Sequence, residues 1–136
     1  GVLICKIKTP LKTIYATCLH LNLLHQGRTI QYNKIVKHFH LKNNSDNTPL
    51  IVAGDFNDWN KKASNYFEEK LGMSEAYKKI NGHYAKSFPT FLPFLSLDRI
   101  YLKNFKIISA NVYTHNTYKH LSDHLPLFCE VEINEE

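Results

Sequence analysis

The segment Leu50-Ile51-Val52-Ala53-Gly54-Asp55-Phe56-Asn57 decides the fold class of this chain. Its four apolar residues predict a short buried strand that stops at Gly54-Asp55. If the backbone stays extended, Asp55 and Asn57 point to one side and Phe56 points into the core. A carboxylate beside a neutral amide suits phosphate chemistry, because the amide can donate to a phosphate oxygen while the carboxylate orients water. The alternative is an Asx turn, since Asp and Asn are frequent turn residues.

Strands and one long helix surround this segment. Residues 2–7 and 13–21 predict two strands, and the second is apolar on both faces, as strands inside layered structures are. A helix is predicted over 25–42, because apolar side chains recur on one face at Tyr32, Ile35, Val36 and Phe39. A loop is predicted over 43–49, a short helix over 62–71 and a long ordered loop over 81–96.

Three more strands are predicted in the last third of the chain, over 97–102, 106–114 and 125–133. The last strand alternates cleanly, and one of its sides consists of Leu125, Leu127, Cys129, Val131 and Ile133. Because strands bracket one long helix, the 136 residues predict a single α/β layered domain.

Composition narrows the classes of function. With 43% hydrophobic and 21% charged residues, and no apolar run near the ~20 residues of a membrane span, the chain is typical of a globular domain. A net charge of +5 suits phosphate, nucleic-acid or anionic membrane partners. Cys5, Cys18 and Cys129 form no C-x-x-C pair, which predicts buried reduced thiols and favours a cytoplasmic location.

Polar side chains also occur where the other predicted strands end, which is where scaffolds present reactive groups. Asp98 lies among strand-forming residues, so its carboxylate must be paired. Its neighbour Arg99 points the opposite way along the strand, and pairing with His124 from another strand is the more attractive arrangement. Such a contact would fix the imidazole tautomer and leave the other ring nitrogen as a base. The alternative is a purely structural salt bridge.

Asp123 and His20 complete the candidate set. Because Asp123 and His124 are adjacent, they point to different sides and suit different tasks, metal ligation or water positioning for Asp123 and base chemistry for His124. His20 ends a strand that is otherwise apolar. The alternatives are a loop aspartate and a surface histidine at 123–124, and a histidine satisfied inside the core at position 20.

The order of these segments carries a family resemblance. The chain contains Leu19-His20-Leu21, Arg28 and Gln31 on a helix, Gly54-Asp55-Phe56-Asn57, Leu97-Asp98-Arg99-Ile100-Tyr101 and Ser122-Asp123-His124-Leu125-Pro126-Leu127. In this order they resemble the motifs of the endonuclease/exonuclease/phosphatase superfamily, which has the deoxyribonuclease-I-like fold. Each motif is short, but together they span nearly the whole chain. The run Ser87-Phe88-Pro89-Thr90-Phe91-x-Pro93 resembles a bacterial branch of hypothetical phosphodiesterases.

The resemblance implies a phosphodiesterase, phosphatase or nuclease built on a four-layer α/β/β/α sandwich with mostly antiparallel sheets. It implies that His124 is the general base or phosphate-binding histidine and that Asp98 orients it. Asp55 would position the attacking water or stabilise the leaving oxygen. Asn57 and His20 would contact the scissile phosphate.

The resemblance also implies a divalent metal, Mg²⁺ or Mn²⁺, held by Asp123 together with Asp55. Such an ion neutralises charge that develops on phosphoryl oxygens. One departure stands out, because the Asn and Glu motifs of the superfamily's first half do not occur here. The chain is therefore expected to be a single domain, residues 1–136, that forms the C-terminal portion of the superfamily domain without the N-terminal half.

This expectation has consequences for association and function. If the lost half leaves on the order of 600 Å² of apolar sheet uncovered, at ~25 cal/mol per Å² about 15 kcal/mol of burial is forgone, against a net domain stability of ~5–15 kcal/mol. The chain is therefore expected to pair with its missing half, to self-associate or to belong to a longer parent. The resemblance implies a phosphate-ester substrate, for example nucleic acid or a phospholipid headgroup, and the sequence does not choose between them. The alternative function is a catalytically incomplete half-domain for association or for anion or nucleic-acid binding.

Overall fold

The computed structural model describes residues 1–42 and 47–134, so the predicted loop at 43–49 falls largely outside the described residues. The elements are β1 (Val2–Lys8), β2 (Thr13–His20), α1 (His25–Lys42), β3 (Leu50–Asp55), α2 (Ser64–Phe67), β4 (Ser74–Glu75), α3 (Ala76–Asn81), β5 (Asp98–Lys103), β6 (Phe105–Val112), α4 (Asn116–Lys119) and β7 (Leu127–Ile133). None of the helices within these residues is long and apolar enough to cross a bilayer.

Two sheets organise the chain. The larger sheet has the strand order β1-β2-β3-β5-β4, and the smaller one pairs β6 with β7. Strands β2 and β3 run parallel, while the other pairs are antiparallel. The predicted α/β class with mostly antiparallel sheets is therefore confirmed. The parallel pair brings the ends of β2 and β3 to one edge, where His20 lies opposite Asp55.

Helix α1 covers one face of the larger sheet and has the predicted bounds. The predicted apolar stripe is buried, with Tyr32, Ile35, Val36 and Phe39 each at most 9% exposed. These side chains share one core with the strand residues Leu19, Leu50, Val52 and Tyr101. Because burying one large apolar side chain is worth about 1.5–3 kcal/mol, this contact is a principal source of stability for the sheet.

The smaller sheet packs against the opposite face, next to α3. Its core centres on Leu102 and Ala110, and half-buried Val131 of β7 packs against it. The predicted alternation of β7 is confirmed, because Phe128, Glu130 and Glu132 are exposed while the residues between them are partly buried. This arrangement leaves the β1–β2 end of that face open among the described residues, with Leu3 64% exposed.

Gly54 is required where β3 approaches β2. Its φ is +139°, and a Cβ at this position would lie 1.9 Å from the carbonyl oxygen of Leu19, its partner in the parallel pair. No side chain fits this close approach, and the backbone angle is one that favours glycine. Gly54 therefore fixes how β3 ends and where the Asp55 side chain begins.

Some predictions fail, because they concern contacts between distant segments or short elements. The cysteine prediction is wrong for Cys5 and Cys18, which are exposed, whereas Cys129 is half-buried. Cys18 alternates with the buried Thr17 and Leu19, so it faces away from α1 onto the open end of the sheet. The helix predicted over 62–71 is only one turn long. Strand β4 and helices α3 and α4 were not predicted at all.

Candidate active site

A short chain of contacts links Ser87, Asp98 and His124. Asp98 begins β5, and its Oδ2 lies 2.6 Å from His124 Nδ1. The same oxygen accepts a hydrogen bond from the Ser87 hydroxyl at 2.6 Å. The predicted cross-strand pairing of Asp98 with His124 is therefore present. Because Nδ1–H donates to the carboxylate, a neutral His124 carries its lone pair on Nε2.

Asp55 lies on the other side of the His124 ring. The β3–β5 register places Asp55 opposite Asp98. Oδ2 of Asp55 lies 3.9 Å from Nε2 of His124 and 3.7 Å from Nε2 of His20. The remaining oxygen, Oδ1, accepts the backbone N–H of Asn57 at 2.8 Å. The Nε2 atom of His124 and one carboxylate oxygen of Asp55 thus border the same small space.

Burial and charge shift the pKa values of this pair. Burial raises the pKa of Asp55, and the nearby Asp98 adds to this effect against the Asn57 N–H and the two histidines. Burial lowers the pKa of His124, but the hydrogen bond and charge of Asp98, followed by Asp55 and Asp123, outweigh it and raise the pKa above its ordinary value. The site therefore stabilises the imidazolium form of His124 once it has accepted a proton.

Asn57 adopts a different geometry from the extended one that was predicted. Its φ is +48°, in the left-handed region, and its backbone N–H closes the Asx turn on Asp55. The expectation that Asp55 and Asn57 share one side of an extended strand is therefore wrong, and the turn that was weighed as the alternative is observed. The Asn57 side chain is buried, and its Nδ2 donates to the Leu21 carbonyl at 2.9 Å. This bond ties the end of β3 to the segment after β2.

His20 and Asp123 both lie at the site but are more exposed. The His20 side chain is 74% exposed, so the core-histidine interpretation is wrong. Asp123 is exposed too, and its backbone carbonyl accepts the N–H of Thr90 at 2.9 Å. Its charge adds to the effect that raises the pKa of His124. Its part in holding a metal stays a prediction.

The segment before β5 contributes residues that the sequence-based site set did not contain. Ser87 is fully buried, and its carbonyl accepts the N–H of Leu125 at 2.8 Å. The Phe88 ring packs 4.9 Å from the ring of His124, measured between centroids. Thr90 donates its hydroxyl to the Ser122 carbonyl at 2.7 Å. In the sequence, the run Ser87-Phe88-Pro89-Thr90 contributes only to the family resemblance, but in the structure it positions both Asp98 and His124.

Arg99 pairs with Asp58 and not with Asp98. Its Nη1 lies 2.8 Å from Oδ2 of Asp58, and both side chains are fully buried. The Asp58 carboxylate also accepts the backbone N–H groups of Lys62 and Ala63. The buried pair clamps the turn after Asn57 to the start of β5. The pair therefore holds the turn from Asp55 to Asn57 against the strand that carries Asp98.

Three side chains form a candidate metal-binding group among the described residues. Ligand atoms of Asp55, Asp98 and His124 all lie within 4.8 Å of one another. Asp98 and His124 also line a hollow of about 370 Å³. Carboxylate oxygens are the ligands that Mg²⁺ prefers, and Mn²⁺ accepts imidazole as well, so the donor set fits a divalent cation. Because Oδ2 of Asp98 already takes two hydrogen bonds, Oδ2 of Asp55 is the better placed ligand atom.

Comparisons with solved structures identify the class of fold. An endonuclease/exonuclease/phosphatase from Bacteroides vulgatus superposes with a TM-score of 0.70 at 20% identity, over 90% of this chain and 51% of that chain. D. rerio TDP2 complexed with single strand DNA product gives a TM-score of 0.70 at 17% identity, over 96% and 61% of the two chains. The chain therefore has the deoxyribonuclease-I-like fold that the sequence motifs predicted.

Other similar proteins are described only as functionally unknown or uncharacterized. A functionally unknown conserved protein from Enterococcus faecalis V583 gives a TM-score of 0.80 at 21% identity, over 98% of this chain and 56% of that chain. The uncharacterized protein YbhP of Escherichia coli (strain K12) is 37% identical over 135 residues, and so is YbhP of Shigella flexneri. These matches cover 98% of this chain and 53% of YbhP, so the chain spans about half the length of these curated relatives. No protein-family model matches the chain.

Proposed function

We propose that this chain carries the base-bearing half of a divalent-metal-dependent phosphoesterase, acting as a phosphodiesterase, phosphatase or nuclease of the endonuclease/exonuclease/phosphatase superfamily. The contact chain from Ser87 through Asp98 to His124, facing Asp55, is the observation that carries this proposal. The phosphoesterase-type fold supports it independently.

The residues have distinct tasks in the proposed reaction. Asp98 holds Nδ1–H of His124, so Nε2 accepts the proton of the attacking water. The water oxygen bonds to phosphorus as the ester P–O bond breaks, and the leaving oxygen takes a proton from solvent. Asp55 orients that water from the opposite side, while Ser87 positions Asp98. His20, which is exposed beside Asp55, would contact a phosphate oxygen.

Asn57 and Asp123 have supporting tasks. Asn57 fixes the turn from Asp55 to Asn57 through its buried amide, which donates to the Leu21 carbonyl. The contact of Asn57 with the scissile phosphate, which the family resemblance implies, stays a prediction. A Mg²⁺ or Mn²⁺ ion would be held by Asp55, with Asp123 as the second predicted ligand. When bound, the ion neutralises developing charge on the phosphoryl oxygens.

The test is hydrolysis of bis(4-nitrophenyl) phosphate with Mg²⁺ by the complete product of the gene that encodes this chain. Because general base catalysis is worth about 10²–10⁴-fold, His124→Ala should lower kcat by at least 100-fold. The matched control is His40→Ala, at an exposed histidine of α1. Chelation with EDTA should abolish the activity and added Mg²⁺ should restore it. Hydrolysis that survives in His124→Ala would show that the assigned roles are wrong.

One face of the larger sheet lacks a cover among the described residues. The face of β1 and β2 that points away from α1 exposes Leu3, Cys5 and Cys18 among the described residues. Relatives carry roughly as much sequence again as this chain. We propose that this further sequence covers the open face in the complete protein, in preference to self-association. Both exposed thiols should then resist a thiol reagent in the complete gene product; rapid labelling of both would contradict the proposal.

A further inference from the structure

A second hollow adjoins the candidate active site and has no task in the proposed reaction. It measures about 410 Å³ and is lined by Asp58, Trp59, Lys61, His83, Tyr84, Lys86, Phe94, Leu95, Ser96 and Leu97. Three of its lining residues are neighbours in sequence of residues in the candidate active site. The neighbouring pairs are Asn57 and Asp58, Lys86 and Ser87, and Leu97 and Asp98. Its volume lies within the range of small-molecule binding pockets. We call it the aromatic cleft.

The aromatic cleft contains two exposed aromatic side chains. Trp59 is 49% exposed and Phe94 is 61% exposed, which is unusual for side chains of this size. Trp59 follows the Asx turn of the site, and Phe94 belongs to the loop that carries Ser87 and Phe88. Two exposed rings that line one concave surface are suited to stacking on a planar ligand.

Cations line the same cleft. Lys61 and Lys86 are both exposed, as is His83. The one carboxylate in the lining, Asp58, is fully buried and paired with Arg99. The accessible charge of the aromatic cleft is therefore positive and suits a phosphate.

The walls are held in place before any ligand binds. The Asp58 carboxylate accepts the backbone N–H groups of Lys62 and Ala63, which fixes the turn that carries Trp59 and Lys61. The Arg99 guanidinium stacks on the Tyr84 ring at 4.3 Å, so one buried ion pair supports both walls. Rigid walls reduce the entropy lost on binding, which is the property expected of a recognition site.

We propose that the aromatic cleft binds a nucleotide unit next to the scissile phosphate, so that the substrate is single-stranded nucleic acid. This proposal rests on the proposed function. The base stacks on Trp59 and Phe94, and the neighbouring phosphate contacts Lys61 and Lys86. A bilayer is disfavoured as the ligand, because rings and cations converge on a hollow and do not form a flat apolar face.

The experiment measures binding without hydrolysis. Fluorescence anisotropy of a dye-labelled tetrathymidylate is recorded with the complete gene product in EDTA, and again with an oligomer of equal charge in which the bases are replaced by abasic sites. The base-bearing oligomer should bind about 10-fold more tightly, as base stacking on aromatic side chains predicts. Trp59→Ala should remove this difference, and Trp59→Phe should retain most of it.

The cationic contribution is tested by salt dependence. The double variant Lys61→Ala with Lys86→Ala should reduce the slope of log K against log salt by about 1.4, because each lost contact to single-stranded phosphate removes about 0.7. The matched control is Lys37→Ala, an exposed lysine of α1, which should leave the slope unchanged. A slope that is unchanged in the double variant would overturn the assignment of these two lysines.

The remaining outcomes separate the two proposals. Equal binding of the base-bearing and abasic oligomers would overturn the nucleotide assignment. So would Trp59-dependent binding of phosphatidylglycerol vesicles that is tighter than binding of the base-bearing oligomer. If the protein hydrolyses bis(4-nitrophenyl) phosphate and yet shows either result, the proposed function stands and the nucleotide site in the aromatic cleft is refuted. If it binds the oligomer as expected but hydrolyses nothing, the nucleotide site stands and the proposed function is refuted.

Discussion

Replacing Asp58 by Asn removes one charge from the buried pair that clamps the site to β5. The Asp58 carboxylate accepts Arg99 Nη1 at 2.8 Å, Ala63 N–H at 2.8 Å and Lys62 N–H at 3.0 Å. Both members of the ion pair are 0% exposed, so water cannot take the place of the lost carboxylate oxygen. The change should therefore leave the Arg99 guanidinium as an uncompensated buried charge.

The magnitude follows from this burial. Breaking a buried ion pair by removing one partner costs about 3–5 kcal/mol. The lost hydrogen bonds belong to the same network and are not added separately. Against a net stability of ~5–15 kcal/mol for a domain, Asp58→Asn should remove a large fraction of the total. Adding Arg99→Met to this variant removes the orphaned charge, so the double variant should recover about 2 kcal/mol.

Urea unfolding of the complete gene product, followed by circular dichroism, measures both effects. The control is Glu132→Gln, which breaks the Lys106–Glu132 pair at a similar distance of 3.1 Å but with side chains 68% and 63% exposed. An exposed pair of this kind is worth about 0–1 kcal/mol. If Asp58→Asn shifts the midpoint no more than Glu132→Gln does, or if the double variant is no more stable than Asp58→Asn alone, the buried pair does not act as described.

Three further predictions concern other positions. Ser87→Ala removes one hydrogen bond to Asp98, so it should lower kcat about 10-fold and lower the free energy of unfolding by only ~1 kcal/mol. Steady-state kinetics measures the first effect and urea unfolding the second. Gly54→Ala should lower the free energy of unfolding by at least ~2 kcal/mol, because the new Cβ would lie 1.9 Å from the Leu19 carbonyl oxygen. Gly72→Ala should lower it less, because Gly72 also has a positive φ but has open space around it. Burial raises the pKa of Glu75, so the Glu75 carboxyl binds its proton more tightly in the native chain than in the unfolded chain. The contribution of Glu75 to the free energy of unfolding therefore falls as pH rises through the raised pKa. Glu75→Gln should flatten that part of the curve of unfolding free energy against pH, and urea unfolding at a series of pH values measures this.

The site was predictable where local spacing or motif order was sufficient. Asp98 stands out as a carboxylate within a strand, and its need for a partner predicts the pairing with His124 from the sequence alone. Asp55 follows from its place at the end of an apolar strand. The direction of Asn57 was not predictable, because a left-handed φ at one residue replaced the extended backbone that the spacing assumed.

Other site features depended on segments that meet only in three dimensions. Ser87 reaches Asp98 because the loop before β5 folds back onto it, and no periodicity marks a serine for that task. Arg99 and Asp58 are 41 residues apart and pair across the end of the sheet. Their pairing also decides that Trp59 and Tyr84 form two walls of one cleft.

The sequence by itself determined the helix of residues 25–42, the alternation of β7 and the identity of the fold, because each of these depends on regular spacing of apolar side chains or on short motifs in a fixed order. Only the tertiary structure decided which strands lie side by side, which cysteines are exposed and which loop residues support the site. The physical reason is that burial and ion pairing are set by contacts between distant segments. A linear pattern specifies which face of an element is apolar, but it does not specify what covers that face.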